Sequence, residues 1–522
     1  MKPALLTALL AGAVFGQNVD NSAGFDSADV HVSSPVANPT VRGGFLRGRR
    51  YELRTATMAD MIGFAFDLDP ERVQGGPSWL DWDRFDVLAK APLSTKPQTL
   101  GVMLRNLLAD RFKLAAHKDT KLMPAFVLTA GKGKSKMKAA GGGGQPGCEN
   151  VQQKAEPGVV PLQGMSCHDM TMATFVDFLF GYGGGTYLTD PVVDQTGLEG
   201  AWDFELKWTP RNRLAQAGAD GVSLFDAVDK QLGLKLEAKK APLPVVVVDN
   251  VNEAPTPNEP GVAAKIPPPP PTEFEVATIK LTAPGAPPGQ NGRIQNGRLD
   301  LQNSTLKQLI QVAWDFGNND EMIAGLPKSA DSIHYDVAAK VATMGATRAE
   351  DIDVDALRLM LRALLEERFG LKTHMEDRPV SAYTMIATKQ LKLQKADPQN
   401  RTNCKAGAGT NPMLNRLITC TNMTTTQFAG ILQTLAGGYV RAPIKDATGI
   451  EGRWDFSVNF SGVGLLPGAR FDPNASTGLS DPNGSLSLPE AMQKQLGLKL
   501  EMGKRPLPVL VVDRVEEKPA EN

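Results

Sequence analysis

The feature that most constrains the fold of this chain is an internal duplication running through its whole length. Gln231–Val251 reads QLGLKLEAKKAPLPVVVVDNV and Gln495–Val515 reads QLGLKLEMGKRPLPVLVVDRV, so that 16 of 21 positions are identical. Asp194–Leu206 (DQTGLEGAWDFEL) and Asp446–Val458 (DATGIEGRWDFSV) share eight of 13 positions. Further matching blocks follow in the same order, offset by about 250–265 residues, so the sequence predicts one domain present twice in tandem.

A proline-rich segment separates the two copies. It contains five consecutive prolines, Pro267–Pro271, which favour an extended polyproline II helix and act as a semi-rigid spacer. We therefore expect repeat domain 1 at residues 17–254, a linker at 255–272 and repeat domain 2 at 273–522, with each repeat folding as an independent domain.

The N-terminus has the pattern of a signal peptide. Lys2 is followed by an apolar stretch from Ala4 to Phe15, which is shorter than the roughly 20 apolar residues of a membrane helix. We expect residues 1–16 to be removed on export, leaving Gln17 as the first residue of the mature chain. Since no later stretch has membrane-helix length, the sequence predicts a periplasmic or secreted protein without a membrane span.

Helical and strand patterns alternate within each repeat. In the second copy, Val354–Phe369 carries leucines on one face, as an amphipathic helix does, and strand patterns follow at Leu371–Glu376 and Ala382–Thr388. The helical pattern Leu488–Leu496 is again followed by two strand patterns. We expect an α+β fold of repeated helix–strand–strand units, each packing its helix on one face of an antiparallel or mixed sheet.

The four cysteines fall into one pair per repeat, Cys148 with Cys167 and Cys404 with Cys420. In an exported protein, pairs in matching places indicate one disulfide per repeat. A metal site is the alternative, but it needs about four ligands, and His168 is the one histidine near either pair. We therefore expect two local disulfides.

Composition and motifs argue against several classes of function. Lys plus Arg (56) nearly balance Asp plus Glu (57), and aromatic residues make up 6% of the chain, which disfavours a nucleic-acid partner. The sequence contains no HExxH, no Cys-x-x-Cys and no G-x-S-x-G motif. We expect no catalytic residue, no cofactor and no metal.

Two recurring constellations supply candidate binding residues. His117 and His374 occupy matching places after a helix, where a histidine can titrate or bind a ligand, or can simply be an exposed strand residue. Trp202 and Trp454 each begin a W-D-F motif in which alternation places Trp and Phe on one strand face. Each Trp is interpreted as either core packing or a platform for stacking sugars.

Two carboxylate pairs leave a hydrolase hypothesis open. Asp194 with Glu199, and Asp446 with Glu451, offer the two acids that glycosidases use. Both pairs flank glycine turns, where carboxylates commonly cap the backbone or face solvent. A hydrolase acting on polysaccharide or peptide would use these pairs or the His117-type residues, whereas a small-ligand carrier would need a deep apolar pocket.

Several stretches carry a family resemblance, among them FEVATIK (Phe274–Lys280), LLADRFKLAAH (Leu107–His117) and VVDQTGLEGAWDF (Val192–Phe204). Through them the chain resembles an uncharacterised, soil-associated family of exported bacterial proteins whose domain has no assigned function. The usual member has one such domain, and the resemblance implies no catalytic residue. The helix–strand units are also similar in pattern to the short N-terminal domains of secretins and TonB-dependent receptors, which are periplasmic protein-interaction modules.

Taken together, these features favour an exported, non-catalytic binding or interaction protein whose partner lies in the cell envelope or outside the cell. The ligand is not encoded in any recognisable motif, although a protein partner agrees with the module pattern. The alternatives are the secreted hydrolase and the small-ligand carrier.

We predict that the exported protein begins at Gln17, because the residues before it form the signal peptide. Intact-mass measurement of exported material tests this, and a mass that retains Met1 would contradict it.

Overall fold

The computed structural model describes most of the chain, and the predicted signal peptide, residues 1–16, lies outside the described residues, as do linker residues 270–272. The described residues are 23–34, 40–131, 133, 135–141, 146–152, 159–183, 187–269, 273–283, 285, 293–295, 298–317, 319–341, 354–408, 415–462 and 486–520.

The strands are mostly short, apart from four that run for 16 or 17 residues. In chain order they are β1 (Ser27–Val32), β2 (Arg42–Arg47), β3 (Arg50–Thr57), β4 (Val73–Gly75), β5 (Arg84–Lys90), β6 (Ala115–Ala130), β7 (Lys138–Ala139), β8 (Gly147–Gln152), β9 (Gln163–Thr171), β10 (Val192–Gln195), β11 (Ala201–Trp208), β12 (Leu234–Asn250), β13 (Val276–Leu281), β14 (Arg293–Gln295), β15 (Arg298–Thr305), β16 (Ile323–Ala324), β17 (His334–Lys340), β18 (Lys372–Ala387), β19 (Gln394–Lys395), β20 (Asn403–Ala408), β21 (Asn415–Met423), β22 (Ile444–Asp446), β23 (Trp454–Ser461) and β24 (Leu498–Arg514).

The α-helices are α1 (Met58–Phe66), α2 (Leu100–Arg111), α3 (Met172–Gly183), α4 (Leu214–Ala217), α5 (Leu224–Ala227), α6 (Val262–Lys265), α7 (Leu306–Trp314), α8 (Val354–Phe369), α9 (Thr425–Leu435) and α10 (Leu488–Ala491). A π-helical turn continues α5 (Val228–Leu232) and another continues α10 (Met492–Leu496). Short 3-10 turns connect several elements, at Pro70–Arg72, Ser78–Asp81, Pro97–Thr99, Arg211–Arg213, Gly218–Asp220, Asp320–Met322 and Lys328–Asp331.

The chain packs into two compact units that each draw on both sequence repeats. Unit 1 comprises Met1–Ala116, Val248–Arg378 and Pro506–Asn522, and unit 2 comprises His117–Val247 and Pro379–Arg505. The boundaries of these units therefore cut across the repeats, and the independent domains at 17–254 and 273–522 stay a prediction.

Four sheets share one strand order. Two belong to unit 1, with the orders β1-β5-β3-β2 and β13-β17-β15-β14, and two to unit 2, with the orders β7-β11-β9-β8 and β19-β23-β21-β20. In each sheet the third strand in this order leads directly into a helix, and the second strand follows later in the chain and pairs antiparallel with it. The chain thus uses one sheet-and-helix arrangement four times.

An aspartate holds the same irregularity in each of these sheets. Before each helix one residue of the third strand adopts a left-handed conformation, with φ between 50° and 52°, and the pairing register shifts there. Its backbone N–H donates to an aspartate Oδ1 on the adjacent strand, as a substitute for the lost ladder hydrogen bond. The pairs are Thr55 with Asp86 (2.8 Å), Asp169 with Asp203 (2.9 Å), Asn303 with Asp336 (2.8 Å) and Asn422 with Asp455 (2.7 Å).

A threonine two residues after the left-handed residue starts each helix. Its hydroxyl accepts a hydrogen bond from the backbone N–H three residues later, which satisfies one of the free amides of the first turn. The four residues are Thr57, Thr171, Thr305 and Thr424. The bulge and the cap together fix where each strand becomes a helix.

The two strand patterns that the sequence suggested after α8 form one continuous strand. Leu371–Glu376 and Ala382–Thr388 both fall in β18, whose first half is mostly exposed and whose second half is mostly buried. Because the middle of β18 is exposed and charged, its sequence lacks the alternating apolar residues of a strand and resembles a turn. The α+β class agrees with the structure, since parallel pairs such as β10 with β6 and β22 with β18 accompany the antiparallel sheets.

The cores are aromatic and aliphatic, and they lie between the helices and one face of each sheet. In unit 1, Phe369 at the end of α8 packs edge-on against Tyr335 of β17, with ring centroids 5.2 Å apart. The matching pair in the first repeat, Phe112 and Phe85, has centroids 5.0 Å apart. All four rings are buried, and such pairs contribute about 0.5–1.5 kcal/mol beyond the area they bury.

Both predicted disulfides are confirmed. Cys148 of β8 lies directly opposite Cys167 of β9, and Cys404 of β20 lies opposite Cys420 of β21. Each bond ties an edge strand to the central part of its sheet. The bonds are consistent with an oxidising compartment outside the cytoplasm.

We predict that Asp336→Ala lowers the free energy of unfolding by about 1–3 kcal/mol, because it leaves the bulge N–H of Asn303 without its acceptor. Asp331→Ala is the control, since the partner of this exposed carboxylate among the described residues is Lys307, in a surface ion pair worth about 0–1 kcal/mol. Urea denaturation of the full chain measures both, and equal losses would contradict the assigned role of Asp336.

Candidate functional site

His374 is the predicted candidate with the clearest polar surroundings. It lies on β18 in unit 1, where Nδ1 is 2.9 Å from Asp513 Oδ1 of β24 and Nε2 is 3.9 Å from Glu376 Oε2. All three side chains are about half exposed. A histidine oriented by a carboxylate provides two of the three members of a catalytic triad, and the third is a hydroxyl or thiol nucleophile. Within the described residues, the partners of His374 are carboxylates.

His117 occupies the matching position on β6 and is exposed; it belongs to unit 2. A metal site would need three or more His, Cys, Asp or Glu side chains brought together, and the described part of the chain contains no such group. Both histidines lie at exposed positions of their strands, and a binding role for them stays a prediction.

Trp202 and Trp454 lie at the start of β11 and β23 in unit 2 and are half-buried. Trp202 packs against the hydrophobic core of its sheet, and the buried indole N–H of each Trp has no hydrogen-bond partner within the described residues. At Gly452, where φ is 95°, an added Cβ would approach Trp454 Nε1 to 4.0 Å. This inward packing favours the core interpretation over an open platform for sugars.

Both carboxylate oxygens of Asp446 accept hydrogen bonds from nearby threonines. Its Oδ2 accepts hydrogen bonds from the hydroxyls of Thr425 and Thr426, each at 2.8 Å, and its Oδ1 accepts from the Thr448 backbone N–H at 2.9 Å. Burial alone would raise the pKa of Asp446, but these hydrogen bonds outweigh it and hold the pKa below its usual value. The carboxylate thus stays ionised and ties the start of α9 to the glycine turn.

The corresponding carboxylate of the first repeat, Asp194, also binds a threonine of its glycine turn. Asp194 Oδ1 accepts from the backbone N–H and the hydroxyl of Thr196, at 2.9 and 2.8 Å. Glu199 and Glu451, the proposed second acids, are both exposed. A general acid needs a raised pKa, and Asp446 departs from the ordinary value in the opposite direction.

The sequence did not suggest a contact between a serine and a histidine that lies on strand β9, in the sheet β7-β11-β9-β8. Ser166 Oγ is 3.4 Å from His168 Nε2, and Glu205 stands opposite Ser166 in the strand register. Glu205, however, accepts a hydrogen bond from Lys207 Nζ at 2.7 Å. In the second repeat Thr421 stands in place of His168. The contact is therefore a feature of one sheet and not of the duplicated domain.

The most elaborate polar cluster among the described residues lies in unit 1, where the linker meets β1. The Asn258 side chain binds both backbone groups of Val30: Oδ1 accepts from the N–H at 3.0 Å, and Nδ2 donates to the carbonyl at 3.1 Å. Nδ2 also donates to Asp29 Oδ1 at 2.5 Å. The linker therefore starts as a docked segment, where the sequence had indicated a spacer.

Arg111 at the end of α2 holds this segment from the other side. The buried guanidinium donates to the Thr256 hydroxyl from Nε (3.0 Å), to Asn258 Oδ1 from Nη2 (2.7 Å) and to the Ala28 carbonyl from Nη1 (3.3 Å). It also binds the Thr256 carbonyl. Further on, Val262 and Ile266 are buried, and the Pro267 carbonyl accepts from Arg50.

Asn258 and the four bulge aspartates were missed because their roles depend on long-range contacts. The aspartates do leave a signal, since an aromatic-Asp-aliphatic or aromatic-Asp-Phe triplet recurs four times, beginning at Phe85, Trp202, Tyr335 and Trp454. Asn258 leaves none, because it pairs with residues 228 positions away.

We predict that Thr426→Ala raises the pKa of Asp446 toward the ordinary aspartate value, because one hydrogen bond to its carboxylate is lost. A lowered folded-state pKa stabilises the fold above the unfolded pKa of about 3.9, and this stability is lost as the pH falls through the folded value. The unfolding free energy of the variant should therefore change less between pH 6 and acid pH than that of the wild type, whereas the exposed-strand control Thr120→Ala should match the wild type. An unchanged acid dependence in Thr426→Ala would contradict this.

Comparison with known proteins gives one family. Residues 59–251 and 307–515 match the family described as a protein of unknown function, DUF3738, and both matches begin in the helix after the first bulge of their repeat. No curated protein and no solved structure matches the chain. None of the described helices is long and apolar enough to cross a membrane. Because the two matches cover most of both repeats, the chain belongs to the DUF3738 family and contains two copies of its domain.

Proposed function

We propose that this protein is an exported, non-catalytic binding protein that acts in the periplasm or outside the cell. The observation that carries the proposal is that both carboxylate oxygens of Asp446, one of the acids that the hydrolase hypothesis invokes, accept hydrogen bonds from neighbouring residues. Its oxygens are bound by Thr425, Thr426 and Thr448, and its pKa is lowered, so it is a poor proton donor and is not aimed at a substrate.

The histidines support the same proposal. His374 pairs with Asp513 on an exposed strand face, where water is not excluded. Within the described residues, no hydroxyl or thiol bonds to it as a nucleophile would. A catalytic role for His374 would also require a desolvated cleft, and its side chain is 50% exposed.

The architecture suits recognition. One sheet-and-helix arrangement occurs four times, but the edge strands of the sheets have different partners. The Asn258 side chain covers the edge of β1, whereas the Cys148–Cys167 disulfide ties the edge strand β8 to its neighbour. The two disulfides agree with export, and the pattern shared with the short N-terminal domains of secretins and TonB-dependent receptors supports an envelope protein as partner. Two copies on one chain suit bivalent binding, in which the second contact benefits from a high effective concentration.

The test compares the full chain with Asp446→Asn and His374→Ala. We expect no turnover of peptide, ester, phosphate or glycoside substrates by any of the three proteins, and we expect the wild type and both variants to recognise the same ligands on peptide and glycan arrays. The variants alter groups with structural roles, so circular dichroism must first show that each is folded at the assay temperature.

Two results would count against the proposal. Turnover by the wild type that is lost in Asp446→Asn or His374→Ala would establish the hydrolase alternative. Absence of any ligand on the peptide and glycan arrays would remove the support for a binding role.

A further inference from the structure

We propose that the outer edge of β1, together with Arg111, is a peptide-docking site that the chain's own segment Thr256–Pro267 occupies as a built-in ligand. The partner that fits this site is a peptide carrying an asparagine in an irregular stretch and, after it, a helical turn with aliphatic residues four and eight positions from the asparagine, as in Asn258, Val262 and Ile266. This inference rests on the proposed binding function and names a class of partner for it.

The first argument is the state of the β1 edge. β1 is the outermost strand of its sheet and pairs with β5 alone, from Ser27 with Lys90 to Val32 with Phe85. The N–H and carbonyl of Val30 therefore point away from the sheet, as does the carbonyl of Ala28, and an exposed edge of this kind is a template for another strand. In this structure side chains satisfy these groups: Asn258 binds Val30, and Arg111 binds Ala28.

The groups that bind the segment, on Val30 and Arg111, are held in place by other parts of unit 1. Val30 is fixed by the sheet, and Arg111 is fixed at the end of α2, whose neighbour Phe112 packs in the core against Phe85. Arg111 is buried and bonds to Thr256, Asn258 and Ala28. Without the segment, the Arg111 guanidinium and the backbone of Val30 would lose these hydrogen bonds, and another ligand with the same groups could replace them.

The third argument is that the segment binds in the manner of a ligand. The asparagine supplies polar specificity, Val262 and Ile266 are 5% and 9% exposed and supply apolar contact, and the Pro267 carbonyl is bound by Arg50. Pro257 and Pro260 flank the asparagine contact and lack N–H groups, so the segment cannot form a regular strand ladder with β1. It closes the edge through side chains, which a peptide of the same chemistry can replace.

Attachment to the same chain gives the segment a high effective concentration, so a free peptide competes poorly with it. The test therefore weakens the built-in ligand. The full chain is prepared as wild type, as Asn258→Ala and as Asn252→Ala. Asn252 lies four residues before the segment with its side chain exposed, and its backbone N–H bonds to the Phe112 carbonyl, so its replacement is the matched control.

The probe is a fluorescent peptide with the sequence of residues 252–267, NEAPTPNEPGVAAKIP, and its partner is the same peptide with alanine at the position of Asn258. Because Asn258 makes three of the hydrogen bonds that close the edge, we expect the probe to bind Asn258→Ala roughly tenfold or more tightly than it binds the wild type or Asn252→Ala. The alanine peptide should bind at least tenfold more weakly than the probe. Hydrogen exchange at the Val30 amide should accelerate in Asn258→Ala and slow again when the probe is added.

Three results overturn the proposal. The first is faster Val30 exchange in Asn258→Ala without probe binding, which would make the segment a protective cap only. The second is equal binding of the two peptides, and the third is dimerisation of Asn258→Ala in place of peptide binding, which would assign the edge to a second copy. If Asn258→Ala does not fold, Asn258→Ser replaces it with the same expectations. None of these results bears on substrate turnover, so failure here is distinct from failure of the proposed function.

Discussion

The hydrogen bond between an aspartate and a left-handed backbone amide is the interaction on which the four sheets depend. A bulge breaks the ladder just before each helix, and the free N–H would be left unpaired inside the sheet without Asp86, Asp203, Asp336 or Asp455. The carboxylate fixes the bulge, and the bulge changes the direction of the chain. The threonine two residues after the left-handed residue then starts the helix. After each of these helices the chain first adds a short strand to another sheet, and the strand after that returns to pair with the bulged strand.

The polar residues for which functional hypotheses were raised also form hydrogen bonds within the fold. Asp203 and Asp455 lie in the W-D-F motifs and hold bulge amides, while Asp194 and Asp446 hold threonines at glycine turns. The recurrence of these residues in both repeats therefore has a structural cause, since each copy must build the same bulge and the same turn.

Sequence reasoning reached the features that depend on local pattern. Helix α8 has the predicted bounds, Val354–Phe369, because its leucine stripe is long and regular, and the disulfides join the cysteine pairs that occupy matching positions in the two repeats. It failed where the exposed half of a long strand has no apolar alternation, as in β18, which was divided into two strands. The docking of the first part of the linker had no signal in the sequence, because the contact between Asn258 and Val30 joins residues 228 positions apart, and the spacer role of Pro267–Pro271 stays a prediction.

The central claim is that the aspartates of this chain serve its own backbone. Hydrogen–deuterium exchange of the full chain, resolved to single amides, tests it most directly at Thr55, Asp169, Asn303 and Asn422, the donors to the four aspartates. We predict that these four amides are protected to the same degree as the central strands around them, although their conformation is irregular. Exchange at the rate of exposed loops at these positions would show that the carboxylates are free for another role and would contradict this account.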